Sequence, residues 1–127
     1  MTPVYQTDFS PARGNALQAC VASIFNEDLA NVPNFIEAPD YLFALNQWLA
    51  KRELVFLKVA LADGELAFET PKAVCLLAGP SPRGDFKHVI VARTAGKGFE
   101  SMHDPHPDAA GLAGPPVWAG FFVQVAP

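Results

Sequence analysis

Nucleophilic attack on an amide needs a thiol or hydroxyl at a polarised position, a base beside it, and donors for the oxyanion that forms. Four places in this 127-residue chain offer such parts. His88 opens the apolar run "HVIV", where a strand would hold its imidazole rigidly at an open edge. Taken alone, it reads first as an ordinary half-buried histidine. Asp104 follows in "MHDPHP", and a carboxylate beside an imidazole fixes its tautomer and stabilises the imidazolium. Its plainer role is to start an Asp-Pro turn. The stretch "GNALQAC", residues 14–20, opens a helix. The first N–H groups of a helix lack internal partners, and the dipole there favours negative charge. A thiol in that seat ionises easily, with pKa values of roughly 3.5–7.5. The seat holds Ala16. Cys20 lies one turn further on, about 5–6 Å along the axis, in a stripe of apolar residues. It reads as core, as does Cys75 in "KAVCLLAGP". Gln6 lies ten residues before Ala16, where its amide would reach an oxyanion at the helix mouth or simply face solvent.

The elements that must carry these residues follow from pattern. Asn15 is an N-cap type, able to accept from a free helix N–H. From Ala16 to about Phe25, Leu17, Val21 and Ile24 recur at helical spacing. A second helix spans roughly 40–52, with Leu42, Leu45 and Leu49 as its stripe. After Glu53 the texture changes to strands: "LVFLKVAL", "KAVCLLAGP", "KHVIVART", "FESMH" and "GFFVQV". The turn "AGKG" joins the third and fourth as a hairpin. That hairpin brings the start of one strand near the end of the other, so His88 and Asp104 are expected as neighbours. Helices followed by strands predict an α+β fold: N-terminal helices packed on one side of an antiparallel sheet, in a single domain over 1–127.

Composition narrows the partners. Half of the residues are hydrophobic, enough for a core without staples. The net charge is −4 and no basic run occurs, which argues against nucleic acid. No apolar stretch nears the roughly 18 residues of a membrane span. No charged-then-apolar leader opens the sequence, and both cysteines sit in apolar segments, so a cytoplasmic location with reduced thiols is expected. His103, Asp104 and His106 supply metal-ligand types, but no partner motif completes a site. No metal or cofactor is therefore expected. His103 should face away from Asp104, and His106 should line the cleft rim. Asn15, Arg83 and His106 are the candidates for substrate contact, Arg83 being otherwise a solvated loop charge.

Together, Gln6, "GNALQACVAS", "HVIVA" and "HDP" resemble the papain-like cysteine peptidases. The nearer likeness is to their compact bacterial branch, the bacteriocin-processing (double-glycine) peptidase-like group. It spans nearly the whole chain in order. The resemblance implies a papain-like fold and a thiol-dependent hydrolase cleaving a peptide or amide bond. It assigns Gln6 to the oxyanion, His88 to the general base and Asp104 to its orientation. Ala16 falls where the nucleophilic Cys belongs, and Cys20 falls on a buried second position. Such a chain is either an inactive form with Ala substituted for Cys, or a natural pseudoenzyme that binds in the same cleft. Acyl transfer and deamidation use the same parts. A structural role, with Trp118 and Phe121–Phe122 as contacts, is the remaining alternative. The oligomeric state is not written in the sequence.

Overall fold

The computed structural model describes residues 1–126. Two helices pack on a five-stranded antiparallel sheet: α1 (Ala16–Phe25), α2 (Tyr41–Ala50), β1 (Leu54–Ala60), β2 (Val74–Pro80), β3 (Lys87–Ala95), β4 (Gly98–His103) and β5 (Trp118–Gln124). Two 3₁₀ turns, Leu29–Asn31 and Phe35–Glu37, fill the connection between the helices. None of the described helices is long and apolar enough to cross a membrane.

Helix α1 begins where the apolar period begins. It ends at Asn26, whose left-handed backbone (φ 55°) returns its N–H to the carbonyls of Ala22 and Ser23. Helix α2 starts one residue later than the pattern predicts, because the Asp40 carboxylate caps it by accepting from the Phe43 N–H at 3.1 Å. The apolar stripes of both helices meet the sheet in one core, which includes Leu17, Val21, Leu45, Leu49, Phe56 and Val91. Cys20 is fully buried there, and Trp118 and Phe122 pack in the same layer. A smaller cluster on the opposite face holds Cys75, Leu77, Ile90, Ala92 and Ala119, with Phe121 and Leu112 against it.

The strand order is β1-β5-β2-β3-β4. The last strand therefore inserts between the first two and becomes an interior strand. Gly120 makes the fit possible: the Phe56 ring lies in the space that any side chain at 120 would need. The expected β3–β4 hairpin forms, with Ala95 opposite Gly98. Its register is direct at Ala92–Ser101 but has advanced by one residue at Val91–His103, so Met102 is a bulge residue.

Candidate functional site

Just past the bulge, β4 ends at His103 and the chain carries Asp104 to His88, whose Nε2 lies 2.7 Å from Asp104 Oδ1. Both side chains are buried, at 4% and 6% exposure. Asp104 is further held by two backbone donors. The His106 N–H reaches Oδ1 at 2.9 Å, and the Gly111 N–H reaches Oδ2 at 2.7 Å. Gly111 sits at φ 70°, where glycine suffers no side-chain clash, and this conformation presents its N–H to the carboxylate.

The electrostatics define the tautomer. Burial pulls the His88 pKa below its ordinary value and outweighs the hydrogen bond and negative charge of Asp104, which raise it. Arg83 and His106 push it down further. Burial raises Asp104, but the hydrogen bonds from His88, His106 and Gly111 outweigh that and hold it low. At neutral pH the pair is thus a neutral imidazole and a carboxylate. The imidazole proton sits on Nε2, where Asp104 accepts it. Nδ1 keeps its lone pair and has no partner among the described residues.

Ala16 and His88 line one cleft of about 110 Å³, together with Gln6, Arg83 and His106. Ala16 is half-buried there, as the first residue of α1. Asn15 departs from its expected role. It occupies the N-cap position but makes no capping bond. Its Oδ1 instead accepts from the Thr7 and Asp8 N–H groups at 2.8 and 2.9 Å. Its amide nitrogen donates to Thr7 Oγ1 and Gln18 Oε1. The first intrahelical bond is from the Ala19 N–H to the Asn15 carbonyl, so the N–H groups of Ala16, Leu17 and Gln18 remain open. Asn15 is buried and does not line the cleft; it ties the Gln6 segment to the helix mouth.

Gln6 is delivered by that segment. Its backbone N–H donates to the Pro105 carbonyl at 3.0 Å, directly after Asp104. Its side-chain Nε2 spends one hydrogen on the Asp8 carbonyl at 3.0 Å, leaving the second. Its Oε1 is buried without a partner. Arg83 lines the cleft, but its guanidinium forks onto Asp108 at 3.1 and 3.0 Å, joining the two loops of the rim. His106 Nδ1 accepts from the Asp108 N–H, and its ring packs on Phe9 at 4.8 Å. His103 is separate from the pair: its Nε2 meets the Val4 carbonyl at 2.7 Å. No group of three or more potential metal ligands occurs among the described residues.

No family model, curated protein or solved structure matches the chain. Cys20 is no nucleophile: burial drives its thiol pKa well above the ordinary value, the charge of Asp104 adds to this, and Sγ lies 3.5 Å from the Val89 carbonyl. Burial likewise pushes Cys75 up to about 12. Sequence reasoning missed Gln18, whose Nε2 anchors the network to the Leu29 and Val32 carbonyls, and the two backbone donors on Asp104. Only the Gly in the loop after "DPHP" hinted at the latter.

Proposed function

We propose that this cleft is built for thiol-dependent hydrolysis of a peptide or amide bond in a papain-like frame, with the nucleophile seat occupied by Ala16. The observation that carries this reading is the buried His88–Asp104 pair, with His88 lining the same cleft as Ala16 at the open start of α1. With a Cys at position 16, the thiolate attacks the substrate carbonyl. His88 Nδ1 takes the thiol proton and later gives it to the leaving amine. Asp104 holds the imidazolium through Nε2. The position-16 N–H and the second Gln6 Nε2 hydrogen stabilise the oxyanion. Water then attacks the acyl-enzyme, with His88 as base, and releases the acid. An amine in place of water gives acyl transfer, and a side-chain amide as substrate gives deamidation.

With Ala16 the chain has no attacking atom, and it holds its ligand without cutting. Ala16 itself favours this second reading, a binding module using the same cleft. Ala16→Cys separates the two. Iodoacetamide at neutral pH should modify the introduced thiol alone, faster than the buried Cys20 and Cys75, as read by peptide mass mapping. A thiol at position 16 no more reactive than Cys75 would sink the hydrolase reading.

A further inference from the structure

Thirteen acidic and nine basic side chains make the molecule acidic overall. The cleft does not share that balance. Neither the cleft at Ala16 and His88 nor the groove of about 380 Å³ that continues from it is lined by any Asp or Glu. Arg83, Lys87 and Lys58 line them instead. Cleft and groove share Leu17, Ile36, Phe86 and Val89 as apolar walls. Trp118 and Tyr41 close the far end of the groove around Lys58, whose Nζ donates to Tyr41 Oη at 2.8 Å and lies 4.8 Å from the Trp118 ring centroid. Asp108 neutralises Arg83. Among the described residues no carboxylate pairs with Lys58 or Lys87. Asp85 borders the neighbouring hollow beyond Phe86, which Lys87 also lines, without pairing with it.

An apolar trough flanked by ammonium groups that no carboxylate neutralises complements a ligand that is apolar and anionic together. We propose that the cleft selects acidic, apolar peptide segments. An extended chain crosses the Ala16 seat, sets a bulky apolar side chain against Phe86 and Ile36, and brings a carboxylate to Lys87 or Lys58. This inference rests on the reading of the cleft as a peptide site. It adds a charge preference that the hydrolase parts do not dictate.

The chain with Ala16 allows a direct binding test, because no turnover intervenes. Fluorescein-labelled short peptide pools alternating Leu or Phe with Asp or Glu are compared, by fluorescence anisotropy, with pools in which Lys replaces the acids. The acidic pool should bind about tenfold more tightly, and the advantage should shrink at high salt. Lys58→Glu with Lys87→Glu should erase or invert the preference, whereas the exposed Lys97→Glu, away from the groove, should leave it intact. Lys58→Ala with Lys87→Ala, which adds no negative charge, should weaken the acidic pool alone, by about fivefold. Equal binding of the two pools, binding of neither, or an acidic preference that survives both double substitutions overturns the proposal. So does a single-stranded oligonucleotide that outcompetes the acidic pool. Failure here and failure of the hydrolase reading are distinguishable. A reactive thiol in Ala16→Cys without acidic preference removes this inference alone, while acidic preference with an inert thiol removes the hydrolase reading alone.

Discussion

Removing the Asp104 carboxylate strands three donors at once: His88 Nε2–H and the N–H groups of His106 and Gly111. Asp104→Ala should therefore cost about 2–4 kcal/mol in urea unfolding. Its pH dependence has a definite sign. Asp104 has a folded pKa below its unfolded value of 3.8, so its contribution is present above that value and lost as pH falls through the folded pKa. His88 is also depressed, from 6.5, so its neutral form favours folding, and that contribution is lost as pH falls from 6.5 through its folded pKa. Wild type should lose stability in two steps on acidification, and in Asp104→Ala the more acidic one should shrink to what Asp8, Glu100 and Asp108, also held low by their hydrogen bonds, contribute. The pairing of these residues was legible in the sequence, because a short turn joins two strands of similar length. The bulge at Met102 was not, since nothing in "FESMH" marks an extra residue. Neither was the grip of Gly111, which depends on the path of a loop.

At the scale of elements, α1 is the best-read part of the chain, and its mouth the least. The apolar period gave its span, and Cys20 lies in the core as that period implies. The Asn15 side chain, however, turns away from the helix it opens. Two upstream N–H groups compete for the same oxygen, and the side chain serves them both. The result is a segment clamped to an uncapped helix start, which leaves the Ala16 N–H available. Asn15→Ala should release that clamp. Thr7 and Asp8 should lose amide protection in hydrogen exchange, and stability should fall by about 2 kcal/mol, while the β3–β4 hairpin keeps its protection. Unchanged exchange at Thr7 and Asp8 would show that the segment is held by other contacts.

At the scale of the molecule, composition and element order were enough for an α+β arrangement with helices beside an antiparallel sheet. They were not enough for the strand order, since β5 inserts between β1 and β2 by pairings 58 to 70 residues apart in sequence, from Ala60 with Trp118 to Leu54 with Gln124. Gly120 is the hidden requirement of that insertion. Gly120→Ala should cost about 3 kcal/mol, read by urea unfolding, because a methyl group and the Phe56 ring would compete for one space. The same architecture brings three separate chain regions to one cleft: the Gln6 segment, the start of α1 and the His88 strand. Whether they act as one apparatus is measured most directly by the pH dependence of alkylation in Ala16→Cys, with and without His88→Ala. The thiol should ionise well below the ordinary value of about 8.5, and return toward that value when His88 is removed. A thiol at position 16 that titrates as an ordinary cysteine, or that is indifferent to His88, would contradict a shared apparatus.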